Sequence, residues 1–139
     1  MRIHHLGLAV RDIAEAGDHY VDALGFHEAS EVIEDPIQRV FVQFFATVPG
    51  QSFDSTTTLE LVAPASDDSP ILQTLARGVC GYHSCYEVES LDATIDRWSK
   101  AGAVVLGPPA PAVAFGGRRI AWLFLRTQHL VELLEKPSS

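Results

Sequence analysis

A strand that carries a histidine followed by almost no side chains occurs near the start of this chain, and a second copy of its pattern appears later. No other feature constrains the fold as much. The first copy is His5-Leu6-Gly7-Leu8-Ala9-Val10; the second is His83-Ser84-Cys85-Tyr86-Glu87-Val88. His5/His83, Val10/Val88, Ile13/Leu91, Tyr20/Trp98 and Ala23/Ala101 all share an offset of 78 residues. Leu59-Glu60-Leu61-Val62 and Val131-Glu132-Leu133-Leu134 repeat at an offset of 72, so the second copy has shorter loops. Self-similarity of this kind marks an internal duplication of one supersecondary unit. Side chains alternate faces along a strand. Leu6, Leu8 and Val10 therefore form an apolar face suited to packing on a helix, while His5, Gly7 and Ala9 form a face that leaves space beside an imidazole.

The unit reads β-α-β-β-β. Asp12 followed by Glu15 is an acidic variant of a capping box, and Ile13, Ala16, Tyr20 and Ala23/Leu24 recur at helical spacing up to Gly25. Residues 26–33 read as a short strand, Glu34-Asp35-Pro36 as a turn, 37–45 as a long strand, 47–55 as a loop and 57–62 as a strand. In the second copy 83–88 is a strand, and Ser90 caps a helix bearing Leu91, Ile95 and Trp98. Strands follow at 103–106, 120–125 and 130–134, with a Pro- and Gly-rich loop over 107–117. The expected organisation is one domain over residues 1–139, with modules 1–64 and 81–139 joined by a connector over 65–80.

Composition narrows the function. A hydrophobic fraction of 47% with 20% charged residues is that of an ordinary soluble protein. A formal net charge of −8 with no Lys/Arg cluster argues against a nucleic-acid partner. No apolar run approaches the roughly 18 residues of a membrane span, and the start runs straight into strand pattern without a signal peptide. Cys80 and Cys85 form no Cys-x-x-Cys motif and read as free thiols, so a cytoplasmic location is expected.

Each copy contributes one His from its first strand and one Glu from its last. Glu60 and Glu132 both interrupt apolar runs, on the face opposite their leucine neighbours. A single strand His is usually structural, and a single strand Glu usually faces solvent. Four such residues at equivalent positions of two copies point instead to a divalent-metal site of mixed N/O character, with His5, Glu60, His83 and Glu132 as ligands. Spacing does not choose among Zn, Co, Ni, Mn and Fe.

These motifs resemble the vicinal oxygen chelate superfamily, which includes glyoxalase I, extradiol dioxygenases, antibiotic-resistance proteins and methylmalonyl-CoA epimerase. The resemblance spans nearly the whole chain and is strongest toward the epimerase branch. Residues 5–10 resemble that branch's His-Ile-Gly-Ile-Ala-Val, and residues 83–88 its His-Ile-Ala-Phe-Glu-Val. Gly116-Gly117-Arg118-Arg119-Ile120-Ala121-Trp122-Leu123 is similar to its Gly-Gly-Lys-Lys-Val-Ala-Phe-Leu, and Val131-Glu132-Leu133 to its terminal Ile-Glu-Leu. Leu59-Glu60-Leu61-Val62-Ala63-Pro64, with Asp68-Ser69-Pro70-Ile71 after it, is similar to the stretch around the second ligand. The resemblance implies an α+β fold: two βαβββ modules whose sheets curl into an incomplete barrel around one divalent metal. It departs from the branch at Tyr82, at Pro111-Ala112-Val113-Ala114-Phe115 and in the long loop over 47–55.

The activity so implied is a metal-dependent isomerase or epimerase that enolises a small carboxylic-acid thioester, with an acyl-CoA as the small-molecule substrate. Glu132, a ligand that can loosen, and Glu34 are the expected proton-transfer pair on opposite faces of the substrate carbon. Arg119 beside Arg118 can hold a substrate carboxylate or phosphate, or can simply begin a strand; Gln43 and Glu87 are candidate cavity-wall residues. The competing activities are a glyoxalase I-type lyase, an Fe(II) dioxygenase, which the second carboxylate Glu60 disfavours, and a non-catalytic ligand-binding resistance protein. A homodimer is expected, because duplicated half-barrels leave sheet edges to cover.

Overall fold

The computed structural model describes residues 1–138, and the chain divides into two compact units. One runs from His4 to Tyr82; the other begins at His83 and includes Met1–Ile3.

The first unit is built on strands β1 (Arg2–Ala9), β2 (His27–Glu28), β3 (Ile33–Asp35), β4 (Val40–Ala46) and β5 (Thr58–Pro64). They are hydrogen-bonded in the order β2-β4-β5-β1, with β3 also on β4. Helix α1 (Ile13–Asp18) continues into a π-helical turn over His19–Ala23, and α2 (Ile71–Ala76) follows β5. Asp12 caps α1 by accepting a hydrogen bond from the Glu15 amide at 2.9 Å. Gly17 is where α1 comes close to the sheet: a methyl group there would lie 3.2 Å from the Phe45 ring and 3.3 Å from Gln43.

Three local expectations change. The strand expected over 26–33 is reduced to β2, because Ser30 interrupts the ladder: its hydroxyl, not a backbone carbonyl, accepts from the Phe44 amide at 3.0 Å. Pairing resumes as β3 through Glu34 and Asp35, where a turn was expected. The long strand starts at Val40 instead of 37, because the Asp35 carboxylate accepts from the Ile37 and Gln38 amides and folds Pro36–Arg39 into a turn. Leu6 is 44% exposed instead of packed under a helix, since α1 lies on β4 and β5. The core of this unit is Val40, Val42, Phe44, Phe45, Leu61 and Val62, all nearly inaccessible.

The second unit repeats the plan: β6 (Gly81–Val88), α3 (Leu91–Lys100), β7 (Val104–Val105), β8 (Ala110–Pro111), β9 (Arg119–Phe124) and β10 (Leu130–Glu135). The order is β6-β10-β9-β7, with β8 on β9. The loop expected over 107–117 thus holds a two-residue strand and a 3-10 turn over Val113–Phe115. Ser90 caps α3 by accepting from the Ala93 amide. The helix packs Leu91, Ile95 and Trp98 onto Val88, Leu123, Val131 and Leu133. No helix among the described residues is long and apolar enough to cross a membrane.

Candidate functional site

Register decides which face each side chain takes. In the first unit Gly7 and Phe44 both pair with Glu60, and His5 pairs with Thr58. His5, Glu60 and Phe44 therefore share the face turned away from α1. In the second, Cys85 and Trp122 both pair with Glu132. His83, Glu132 and Trp122 share the equivalent face.

The two units present the same arrangement. His5 Nε2 lies 3.5 Å from Glu60 Oε1, and His83 Nε2 lies 4.0 Å from Glu132 Oε1. Each imidazole meets an aromatic ring edge-on, Phe44 at a centroid distance of 5.4 Å in one and Trp122 at 4.8 Å in the other. All four candidate ligands are buried. Burial, and after it the neighbouring His4, holds the His5 imidazole well below its usual pKa, so its pairing with Glu60 is not an ion pair.

That donor set fits a divalent cation. The His–Glu separations lie at and beyond the long limit of a hydrogen bond. The first equals the upper end of, and the second exceeds by half an ångström, the roughly 3–3.5 Å between neighbouring donors that each sit about 2.1 Å from one ion. A neutral imidazole is the ligand form of histidine, and a buried carboxylate is costly without compensating positive charge. Within each unit the His–Glu pair, His5 with Glu60 and His83 with Glu132, offers donors of the kind a divalent cation takes.

The remaining candidates lie elsewhere. Glu34 pairs with Phe41, which is three positions from Phe44 and so on the other face of β4, and its side chain is exposed. Gln43 precedes Phe44 and also takes the other face, where it lies against Gly17 and donates to the Ser30 carbonyl at 3.1 Å. It is not beside Glu60. Arg119 is three positions from Trp122 and faces α3; its guanidinium is held by Glu135 at 2.7 Å and Asp92 at 3.1 Å, which raise its pKa further. Glu87 takes hydrogen bonds from Arg2 at 3.1 Å and Arg118 at 3.0 Å. These hydrogen bonds outweigh the upward push of burial, so its pKa is lowered. Arg118 and Arg119 are thus engaged by carboxylates of the chain itself. Cys80 and Cys85 are free thiols.

Sequence reasoning missed Phe44 and Trp122, although they share the offset of 78 that relates His5 and His83. It also missed His4 and Asp54, whose side chains meet at 2.8 Å. No periodicity announces that contact, because a loop makes it.

Residues 4–122 match the Glyoxalase/Bleomycin resistance protein/Dioxygenase superfamily, and the chain belongs to it. Its relatives in both sequence and fold include methylmalonyl-CoA epimerases. It is 35% identical to an ethylmalonyl-CoA/methylmalonyl-CoA epimerase of Cereibacter sphaeroides, across 88% of this chain and 87% of that protein. It is 33% identical to the mitochondrial methylmalonyl-CoA epimerase of Mus musculus across 68% of this chain, and spans about half (49%) of that protein's length. A crystal structure of methylmalonyl-CoA epimerase matches with a TM-score of 0.81 at 28% identity, covering 98% of this chain and 95% of that one. A variant of Streptomyces coelicolor methylmalonyl-CoA epimerase in complex with 2-nitronate-propionyl-CoA matches with a TM-score of 0.81 at 25% identity, covering 99% of both chains. The fold is accordingly the α+β fold of these epimerases.

Proposed function

We propose that this chain is a divalent-metal-dependent epimerase of a 2-substituted malonyl-CoA thioester, methylmalonyl-CoA or its ethyl analogue. The observation that carries the reading is the repetition, in two units, of a buried His–Glu pair braced by an aromatic edge. The names of the relatives supply the substrate class. In this reading His5, Glu60, His83 and Glu132 serve one metal ion, and the enzyme works as a homodimer in the cytoplasm. When bound, the ion supplies positive charge to the oxygens of an enolate, a contribution of several kcal/mol in enzymes of this type.

The residues of the chain move the proton. Epimerisation takes the C2 proton from one face and returns one to the opposite face, and a single carboxylate does not reach both. Glu132 accepts the C2 proton on its carboxylate oxygen, and the electron pair of the C–H bond moves into the enolate. Glu34 is exposed on β3 and pairs with Phe41, on the face of β4 that lacks Phe44, which leaves Glu60 for the other face of C2. Protonated beforehand from water, Glu60 gives that proton to C2 as the enolate electron pair re-forms the C–H bond, and Glu132 then returns its proton to water. Positioned acid–base groups of this kind contribute about 10²–10⁴ in rate. Phe44 and Trp122 keep their faces apolar and hold the imidazoles, which strengthens every charge interaction nearby.

The test is exchange. Protein loaded with cobalt(II) should wash deuterium from heavy water into C2 of methylmalonyl-CoA while interconverting its epimers, with one metal bound per chain. Loaded protein that exchanges neither methylmalonyl-CoA nor ethylmalonyl-CoA overturns the reading.

A further inference from the structure

We propose that Asp54 and His4 form a relay that sets which nitrogen of His5 carries its proton, making them positioning residues for metal ligation. The inference rests on the metal-centre reading above and concerns only the first unit.

The geometry is a chain of short contacts. His4 Nε2 lies 2.8 Å from Asp54 Oδ1, and His4 Nδ1 lies 2.9 Å from His5 Nδ1. His5 Nε2 points the other way, toward Glu60 Oε1 at 3.5 Å. Two ring nitrogens 2.9 Å apart share one proton between them, so one donates and the other accepts. An ionised carboxylate only accepts, so His4 Nε2 carries a proton and donates it to Asp54. With one proton on the His4 ring, its Nδ1 is bare and accepts from His5 Nδ1–H. Neutral His5 is left with its lone pair on Nε2, the nitrogen on the Glu60 side and the one a metal ion takes. A second proton on His4, balanced by Asp54, would reverse the 2.9 Å bond and leave His5 protonated on Nε2, the outcome that overturns the relay. Both rings are fully buried, and His4 stands edge-on to Phe44 and Phe53 at 6.3 Å and 6.2 Å, with those two rings stacked at 4.6 Å. The loop over 47–57 supplies Phe53 and the carboxylate, and β4 supplies Phe44. Ligand histidines are oriented by hydrogen bonds of this sort, and losing the partner costs about 10–100-fold in metal affinity.

The test uses nitrogen-15 NMR of histidine in the metal-free full-length chain, together with cobalt(II) titration. Wild type should show His5 protonated on Nδ1 and bare on Nε2. Asp54→Ala should shift His5 toward the opposite tautomer and weaken cobalt binding tenfold or more, while Asp54→Glu retains both properties within about threefold. Asp54 is half-exposed on a loop, so its variants fold even where His4→Phe does not. The relay alone is overturned by a cobalt-binding wild type with His5 protonated on Nε2, or by Asp54→Ala with unchanged tautomer and affinity. Wild type that shows the Nδ1–H pattern yet takes up no cobalt overturns the metal centre, and with it the ligand role this relay serves.

Discussion

The two glutamates first expected to share the proton transfer, Glu132 and Glu34, stand in opposite situations. Glu132 is buried 4.0 Å from His83, while Glu34 is exposed on β3, paired with Phe41 on the face of β4 that does not carry Phe44. Their carboxylate-to-amide variants should therefore separate. Glu132→Gln keeps an oxygen donor but loses the base, so C2 exchange should fall by about 10²–10⁴ while part of the metal is retained. Glu34→Gln should leave the exchange rate within about twofold of wild type. Isotope-exchange rates of the two variants at equal metal loading decide it, and a hundredfold loss in Glu34→Gln would return that residue to the mechanism. The identity of a carboxylate says little here; the strand face it occupies says nearly everything.

Strand β6 carries a candidate ligand and a structural carboxylate, four residues apart in His83 and Glu87. Glu87 joins Arg2, near the chain start, to Arg118 at the entrance of β9, at 3.1 and 3.0 Å. Its side chain is only 12% exposed, so the cluster has little water to replace a missing partner. Glu87→Gln should cost about 1–3 kcal/mol near neutral pH. The folded state lowers this carboxyl's pKa, so its contribution is complete above the ordinary glutamate pKa and is lost as the pH falls through the lowered one. Urea unfolding of wild type and variant should differ at pH 7 and converge toward strongly acid pH. A gap that stays constant down to acid would mean that Glu87 acts through packing, without its charge.

Across the whole chain, two buried His–Glu pairs make the metal-free protein pay for desolvated carboxylates that a cation would neutralise. Ligand that binds only the folded chain at a hundredfold excess over Kd stabilises it by about 2.7 kcal/mol. For 139 residues that is a rise of roughly 10 °C in Tm. Chelator-treated protein should melt lower than cobalt-loaded protein by about that amount, and His83→Ala should lose the difference. Equal Tm values with and without metal would remove the metal from the folding equilibrium and weaken the case for the whole centre.

Much of this architecture was legible in the chain itself. The duplication, both capped helices, most of the strands and the pairing of His5 with Glu60 and of His83 with Glu132 follow from alternation, capping residues and a repeated offset, all of which are local patterns. Face assignment away from those motifs was not legible. Gln43 sits on a strand that was anticipated, Arg119 just ahead of one and Glu34 in what reads as a turn, yet each takes the face away from the candidate ligands. A one-residue change of register sends a side chain to the other face. In the first hairpin the register is decided by the Asp35 turn and the Ser30 interruption, which hydrogen bonds build and composition does not reveal. The contact of His4 with Asp54 lies further still from any pattern, because it joins a strand to a loop 50 residues later in the chain. Local periodicity determined which residues could be ligands; only tertiary closure decided which neighbours orient them, since those contacts exist only once the loop has folded over the sheet.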